Sequence, residues 1–342
     1  MNPRSSHLDV AKGIAIIAVV YGHAAVLMMG YPFYKDVVSI QAEVIFTFAM
    51  PLFFLISGSF QRVRLFSPKF NHRTYLSKIA TSLLLPFYAL GLLFLLANVV
   101  LGEWVNAPSV PAMLTALLVQ QSNGSMLPSV VLWFLFVLFL FHVITYLYAK
   151  IFKFRMIYLL PLAMLLRLKL DLFDDWTFFG LDKICDYFLF YLLGYVFFKR
   201  VIGKPISNPL ALIGLAACYA IGFGIQHADP EGPFSFLMNP FGIHELALTL
   251  LVIGVSYQLT QRFQERKVMM SLAYFGAYSI LVYVFHMPIM TVFRLVGVRL
   301  GVPGNYYMLF FLFIPGAVLP LLAGKILAIH KPTYKTLLGR NP

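Results

Sequence analysis

Long uninterrupted apolar runs recur from one end of the chain to the other. A membrane-spanning helix needs roughly 20 apolar residues. Ten segments meet or approach that length, namely residues 9–29, 38–60, 75–101, 127–149, 154–170, 180–199, 206–226, 241–261, 271–296 and 304–328. The runs do not alternate between apolar and polar positions, so they predict helices rather than the strands of a membrane barrel. The pattern therefore predicts an all-α polytopic membrane protein with about ten transmembrane helices, the fifth being the shortest.

The composition supports this prediction. Apolar residues make up 61% of the 342 residues and charged residues 11%, whereas a soluble domain carries roughly 25% charged residues. The ten segments cover almost the whole chain, so we expect one transmembrane domain over residues 1–342 and no appended soluble domain. Cys185 and Cys218 both lie within apolar runs, so we expect neither a disulfide framework nor a metal site.

Charge predicts the orientation of the helices. The chain has 26 Lys and Arg residues against 13 Asp and Glu residues, a net charge of +13. Twenty of the basic residues fall on one side of the ten predicted spans, together with only two acidic residues, Asp9 and Glu265. We call this side the basic face. Short loops rich in Lys and Arg remain in the cytoplasm, so both termini are expected there. This bias and attraction to anionic membrane lipids explain the positive charge without nucleic-acid binding.

Three ionisable side chains are expected in one layer of the membrane, where they are costly and therefore mark a candidate site. His23 lies roughly 20 Å along the first segment, past the bilayer midplane. His286 falls at about the same depth in the ninth segment, and Glu43 lies one to two turns below the outer end of the second. The three side chains predict an acid/base cluster, provided that their helices pack together.

Each of these residues also has a structural explanation. A lone intramembrane histidine can simply bond a neighbouring carbonyl group, and Glu43 can extend its carboxylate outward to the interface. His142 and His244 lie near the ends of their predicted spans, and interfacial placement explains both without a function.

Lys12 and His23 project from the same face of the first helix, because eleven residues make about three turns or roughly 16 Å. A cation at the cytoplasmic mouth can hold phosphate, and an imidazole deep inside can move a proton. Coenzyme A, with its charged nucleotide, extended arm and thioester, has the matching shape. A snorkelling lysine and a structural histidine are the alternative. Further cations on this side, which the positive-inside rule alone would also explain, are Arg62, Arg64, Arg73 and Lys78.

Six segments in order resemble characteristic stretches of the acyltransferase 3 family. They are residues 8–23 (LDVAKGI through YGH), 51–58 (PLFFLISG), 84–88 (LLPFY), 132–135 (LWFL), 192–195 (LLGY) and 278–288 (YSILVY through HMP). Each motif alone is weak, whereas their order over about 280 residues is specific. The family comprises integral-membrane O-acyltransferases that modify bacterial cell-surface carbohydrates.

The resemblance implies a ten-helix enzyme of the bacterial inner membrane. It would take an acyl group, most commonly acetyl from cytoplasmic acetyl-CoA, and pass it to a sugar hydroxyl of a surface or exported glycan. His23 matches the family's essential first-helix histidine, and Lys12 matches its basic partner, which is usually Arg. The cytoplasmic Arg positions of the family map onto Arg62, Arg64 and Arg73. Many members carry Arg where this chain has Ser82, and Lys78 is expected to substitute.

These inferences combine into one expected mechanism. Lys12 and the cytoplasmic cations hold the phosphates of acyl-CoA, and His23 acts as general base or carries the acyl group itself. Glu43 orients the His23 imidazole, as the acid of a catalytic triad does. His286 is a second proton carrier or an acceptor-binding group. The aromatic side chains expected to stack on the sugar, although core packing also explains them, are Trp133 and Tyr283.

The sequence leaves other functions open. The main alternative is a transporter or flippase for a glycan or lipid-linked precursor, with the histidines as a proton relay. A CoA-binding scaffold without turnover is a third. The acceptor glycan, the choice between acetyl and succinyl donors and the oligomeric state, including a homo-oligomer, stay undecided. The acidic outer loop between Asp171 and Asp182 could contact the glycan, although a solvated loop explains it better.

Overall fold

A computed structural model describes most of the chain. The described residues are 6–31, 38–102, 108–119, 131–152, 155–168, 178–230, 232, 234, 238, 241–263 and 265–340. Residues 127–130 of the fourth predicted span and residues 171–177 of the acidic outer loop lie outside them, so the proposed glycan contact of that loop stays a prediction.

The described residues form helices and no strand. The helices of the first half are α1 (Ser6–Val26), α2 (Ser39–Leu65), α3 (His72–Ile79), α4 (Leu85–Leu101), α5 (Val110–Val119), α6 (Trp133–Ile151) and α7 (Leu159–Arg167). Those of the second half are α8 (Leu181–Val196), α9 (Pro209–Ala228), α10 (Ile243–Phe263), α11 (Lys267–Ala277), α12 (Ser279–Arg299), α13 (Tyr306–Leu327) and α14 (Lys331–Leu338). The π-helical segment Ala80–Leu84 joins α3 to α4. The protein is thus an all-α polytopic membrane protein.

The ten predicted spans agree with the helices, with three differences. Eight helices of the described residues are long and apolar enough to cross a membrane. The fifth and sixth predicted spans correspond to the shorter helices α7 and α8, the latter with 16 residues. The ninth predicted span is not one helix, because the chain turns at Tyr278 between α11 and α12. Finally, the short helices α5 and α14 were not predicted.

Helix α1 occupies the centre of the bundle. It packs against α2, α10, α11, α12 and α13, and most of its residues from His7 to Ala25 are buried. A helix that is apolar around its whole circumference is expected in such a position. Any side chain on α1 therefore meets protein on nearly every side.

Two glycines bring α1 and α11 into backbone contact. A methyl group at Gly13 would overlap the carbonyl oxygen of Leu272, and one at Gly276 would overlap that of Asp9. Small residues allow this close approach between membrane helices. His23 and His286, ten residues after the two glycines, are again neighbours, so α1 runs parallel to α11 and α12.

A second glycine crossing joins α2 to α8. A methyl group at Gly58 would overlap the carbonyl oxygen of Tyr191, and one at Gly194 would overlap that of Leu55. The buried hydroxyl of Ser59 donates to the carbonyl oxygens of Leu55 and Gly194, at 2.9 Å each. The crossing satisfies this hydroxyl in a part of the protein where water is scarce.

Helix α9 lies at the periphery. Only 6% of its most apolar stretch is buried by the rest of the protein, and its main partner is α10. Gly214, one of its residues, has open space where a side chain would stand.

The glycine crossing leads to a stability prediction. Gly276→Ala should destabilise the protein by about 1–3 kcal/mol, the usual cost of overpacking, because the added methyl meets backbone that cannot rotate away. Thermal unfolding in detergent would measure the change. The matched control, Gly214→Ala, should leave the melting temperature unchanged or raise it. Equal effects of the two substitutions would contradict the role assigned to the crossing.

Candidate active site

Two histidines from different helices meet inside the bundle. His23 of α1 and His286 of α12 lie with Nδ1 of the former 3.1 Å from Nε2 of the latter. Their ring centroids are 5.0 Å apart. His286 is fully buried and His23 is partly exposed, with its ring edge-on to Phe46 of α2 at 5.1 Å. The structure therefore brings together two of the three side chains of the predicted acid/base layer.

The hydrogen bonds of the histidine pair assign the positions of its protons. His23 Nδ1 lies 3.0 Å from the Val19 carbonyl oxygen, and His286 Nδ1 lies 3.0 Å from that of Val282. A carbonyl oxygen only accepts, so each Nδ1 carries a proton. His286 Nε2 then accepts from His23 Nδ1, whose proton is shared between two acceptors. His23 Nε2 has no hydrogen-bond partner among the described residues, and its lone pair is open.

A cavity of about 160 Å³ leads from the basic face toward the histidine pair. Its lining residues come from α1, α2, α6 and α12, and are Lys12, Phe53, Ser57, Phe134, Leu138, Ser279, Ile280 and Tyr283. Tyr283 stands at the inner end, with its ring centroid 6.0 Å from that of His286. Lys12 stands eleven residues before His23 on α1, roughly 16 Å along the helix. The cavity thus begins at Lys12 and extends toward the histidine pair, although neither histidine is among its lining residues.

The charge of Lys12 is not free. Its ammonium group binds the carboxylate of Asp9, one turn earlier on α1, at 2.7 Å. Both side chains are about four-fifths buried. An anion at the mouth of the cavity would therefore meet an ion pair with no net charge, which the sequence reasoning did not anticipate.

The other predicted phosphate-binding cations lie on the basic face but do not form one visible cluster. The Arg62 guanidinium stacks over the ring of Phe66 at 3.5 Å and also faces Tyr195 and Phe198. The remaining three, Arg64, Arg73 and Lys78, are exposed. Stacking leaves the edge of a guanidinium able to donate, so Arg62 keeps hydrogen-bonding capacity toward a phosphate.

Glu43 does not orient His23. Its carboxylate lies 3.1 Å from Nε2 of His227 on α9, and both side chains are about half exposed. Among the described residues, the hydrogen-bond partners of His23 are Val19 and His286. The sequence predicts the depth of Glu43 but not the side of α2 from which it projects. The side chain projects toward the peripheral helix α9. The prediction that Glu43 is the acid partner of His23 is therefore wrong.

The two predicted sugar-stacking residues both pack near Phe134. Its ring centroid is 6.1 Å from that of Trp133 and 5.2 Å from that of Tyr283. Trp133 also stacks on Tyr187 at 5.6 Å with the planes 19° apart, and Lys183 Nζ lies 5.8 Å from its centroid. Tyr283 lines the cavity, whereas Trp133 belongs to an aromatic and charged group at the start of α6 and α8. Both roles in sugar binding stay predictions.

A buried polar network lies on the basic-face side of the bundle, and sequence reasoning missed it. His142 Nδ1 lies 2.9 Å from Oε1 of Gln61 and 3.0 Å from the hydroxyl of Tyr191. The hydroxyl of Tyr75 donates to the same Gln61 oxygen at 2.8 Å. The four side chains join α2, α3, α6 and α8. One of them, Gln61, directly precedes Arg62 on α2. No sequence motif predicts this network, because its members are spread over 131 positions.

His142 and His244, for which interfacial placement was the expected explanation, are not exposed side chains. Both are buried, with 7% and 6% of their surface exposed. His142 is held by the polar network, and His244 packs against Gly222 of α9 at the outer end of α10. The burial follows from neighbouring helices, which a position near the end of a span does not reveal.

Comparisons with known proteins gave one match. A family model described as an acyltransferase domain, the model of the acyltransferase 3 family, matches residues 6–329. Neither the comparison with curated proteins nor that with solved structures found a match. The family match covers both histidines and the whole cavity lining, and it ends before α14.

The assigned proton positions predict a difference in reactivity between the two histidines. Diethyl pyrocarbonate acylates imidazole nitrogens that carry an accessible lone pair, so it should modify His23 and leave the fully buried His286 unmodified. Peptide mapping by mass spectrometry of protein treated in detergent would locate the adducts. His23→Gln should lose the adduct of that peptide, and preferential labelling of His286 would contradict the assignment.

Proposed function

The chain belongs to the acyltransferase 3 family, and from that premise we propose that it transfers an acyl group from cytoplasmic acyl-CoA to a hydroxyl of a carbohydrate. Acetyl is the proposed donor group, and the proposed acceptor is a cell-surface or exported polysaccharide, or its lipid-linked precursor. The bacterial cytoplasmic membrane is the proposed location. The family match supports a membrane acyltransferase, and the identities of donor and acceptor are our proposal.

One observation carries this proposal, namely the open Nε2 of His23. His23 contacts His286, whose ring lies 6.0 Å from that of Tyr283 in the lining of the cavity. The position of Nδ1–H is set by bonds to Val19 and His286, so the basic nitrogen faces away from both. A general base must present such a lone pair within reach of the reacting hydroxyl. His286 accepts the Nδ1 proton and so stabilises the imidazolium that forms, which is the role that the acid has in a triad.

The proposed reaction uses the same nitrogen twice. His23 Nε2 removes the proton from the acceptor hydroxyl while the hydroxyl oxygen attacks the carbonyl carbon of the thioester. The carbon–sulfur bond breaks, and the thiolate of CoA takes the proton back from Nε2. A two-step course, in which Nε2 first forms an acyl-histidine and then yields the acyl group to the hydroxyl, needs the same open lone pair.

The size of the cavity favours a slender donor. Sites that enclose drug-sized ligands measure roughly 300–1,000 Å³. The cavity of about 160 Å³ is smaller and lined mostly by apolar side chains, so it suits an extended arm better than a nucleotide. In our proposal the thioester end lies toward Tyr283 and His286, and the nucleotide stays outside at the basic face, near Lys12 and the Arg62, Arg64, Arg73 and Lys78 side chains.

The acceptor is proposed to approach from the opposite side. The aromatic group of Trp133 and Tyr187 lies where α6 and α8 begin, with Lys183 paired to Asp182 at 3.2 Å beside it. Aromatic faces and carboxylates are the usual means of holding sugar rings and their hydroxyls. Tyr283, which packs against Phe134 and lines the cavity, would then contact the reacting sugar.

A transporter is the competing function, and the geometry of the histidine pair weighs against it. A proton relay needs a chain of groups that passes the proton onward. Here Nδ1 of His286 ends on the carbonyl oxygen of Val282, and among the described residues no further titratable side chain continues the chain.

The proposed function predicts that His23→Gln abolishes transfer. Purified protein in liposomes, supplied with acetyl-CoA and a panel of surface-glycan precursors, should release free CoA and form acetylated glycan. Loss of the base should lower kcat by roughly 100-fold or more, since general base catalysis contributes 10²–10⁴-fold. CoA binding by the variant should remain, which separates lost chemistry from a lost fold.

Two outcomes would contradict this prediction. Wild-type protein that neither binds nor consumes acetyl-CoA or succinyl-CoA would remove the acyltransferase proposal and leave transport. A His23→Gln variant with wild-type turnover would keep the enzyme and remove His23 from the chemistry.

The structure also ranks the two predicted partners of His23. His286→Ala removes the acceptor of the Nδ1 proton and should lower kcat, whereas Glu43→Gln alters only a half-exposed pair with His227 and should stay close to wild type. The same liposome assay measures both. A larger effect of Glu43→Gln would restore the acid to the site and show that the His227 pair does not persist during turnover.

A further inference from the structure

Arg340 reaches the basic-face end of the bundle from the C-terminal helix α14. Gly339 follows α14 in a left-handed conformation with φ of 65°, and its N–H bonds the carbonyl oxygen of Lys335 at 2.8 Å. A glycine adopts this conformation without strain and reverses the direction of the chain after the helix. The reversal brings Arg340 against the junction of α11 and α12, where Nη1 donates to the Ala277 carbonyl oxygen at 3.0 Å. The guanidinium also lies 5.2 Å from the centroid of the Tyr278 ring.

The guanidinium of Arg340 is left with unused donors. Nε and Nη2 are both buried, and neither has a hydrogen-bond partner among the described residues. Buried N–H groups of a charged side chain are costly without a partner, and charge-assisted bonds to an anion are the strongest that a guanidinium makes. No carboxylate of the described residues pairs with this side chain. Unpaired guanidinium donors of this kind fit an anion that is supplied by a bound ligand and not by the protein.

The junction that holds Arg340 borders the cavity. Ser279 and Ile280, the residues directly after Ala277 and Tyr278, line it together with Lys12. Gly276, directly before Ala277, packs on the backbone of Asp9, whose carboxylate neutralises Lys12. The Lys12–Asp9 pair contributes no net charge, so Arg340 supplies the positive charge of this junction.

The packing beneath Arg340 involves Ser82. The Ser82 hydroxyl donates to the Gly339 carbonyl oxygen at 3.1 Å, and any side chain on Gly339 would overlap the Ser82 backbone. A long side chain at position 82 would have to share this space with the turn that carries Arg340. The expected replacement for a cation at position 82, Lys78, is exposed, whereas Arg340 lies against the cavity junction.

We propose that Arg340 binds a phosphate group of the acyl-CoA donor, and that α14 and Gly339 exist to place it there. The inference rests on the proposed function, because it assigns the residue that holds the donor of that reaction. Arg340 lies outside the family match, whereas the Ala277–Tyr278 junction that it contacts lies inside it. Arg340 is a binding residue in this scheme and takes no part in the proton transfer at His23.

A purely structural role makes a different prediction. An arginine that only fastens α14 to the end of α11 would contribute through its bond to Ala277 and its contact with Tyr278. Its removal would then lower the melting temperature and weaken all ligands alike. Binding of phosphate, in contrast, depends on which phosphates the ligand carries.

Three ligands separate these roles when they are titrated into the full-length protein in nanodiscs. They are CoA, 3′-dephospho-CoA and pantetheine, which share the arm and differ in phosphates. Arg340→Gln should weaken CoA binding roughly tenfold to a hundredfold, the range of a charge-assisted contact, and leave pantetheine binding unchanged. A loss that vanishes with 3′-dephospho-CoA places Arg340 on the 3′-phosphate, and one that persists places it on the diphosphate.

Matched variants control for charge and for folding. Arg266→Gln removes one cation from an exposed position on the same face and should have little effect on CoA binding. Arg340→Lys keeps the charge and should bind CoA more tightly than Arg340→Gln, which tests the charge even if the glutamine variant folds poorly. Gly339→Val keeps every charge but blocks the turn, and it should weaken CoA as Arg340→Gln does.

The outcomes that overturn the inference are distinct from the failure of the proposed function. Wild-type CoA affinity in a folded Arg340→Gln variant, or an equal loss for CoA and pantetheine, would remove the phosphate contact and leave the acyltransferase intact. Absence of CoA binding in the wild-type protein would remove both.

Discussion

The backbone contact between Gly13 and Gly276 sets the relative position of two parallel helices along their length. Ten residues further along the chain from each glycine, His23 of α1 meets His286, which lies on α12 after the turn at Tyr278. A side chain at either glycine would push α1 and α11 apart, and the distance between the two histidines would change with them. The same contact joins Asp9 of α1 to the junction that Arg340 occupies, so both ends of the cavity depend on it.

Many buried polar groups of the bundle have a fixed hydrogen-bond partner, whereas the Tyr195 and Tyr219 hydroxyls, His244 Nδ1 and the Ser256 hydroxyl have none among the described residues. The Ser59 hydroxyl bonds two carbonyl oxygens, Gln61 and His142 bond each other and two tyrosines, and His286 is closed at both nitrogens. Because unpaired polar groups are costly where water is scarce, the few that remain open are informative. Two such places are His23 Nε2, beside His286, and the unpaired Nε and Nη2 of Arg340, beside the junction whose Ser279 and Ile280 line the cavity.

How much could be predicted from the sequence depended on how many helices a feature involves. The ten spans and the Lys12–His23 spacing follow from one helix at a time, because the rise and period of a helix are constant. His23 and His286 were expected in one layer because they lie at equal depth, and the rise per residue of a helix predicts that depth. Contacts between helices did not follow. Glu43 has the right depth and the wrong direction, and the partners of His142 come from three other helices. The contact between Arg340 and the junction of α11 and α12 depends on the turn at Gly339, and no local sequence pattern predicts where that turn directs the chain.

The closed side of His286 has a bioenergetic consequence. Since its Nδ1 ends on the Val282 carbonyl, a proton taken up at His23 has no outlet through the pair and must leave by the nitrogen that received it. In the proposed reaction the acceptor hydroxyl loses that proton and the thiol of CoA gains it, while the acyl group moves the opposite way. Each turnover is then electroneutral. The membrane potential would neither drive nor resist acyl export, and the thioester alone would supply the energy.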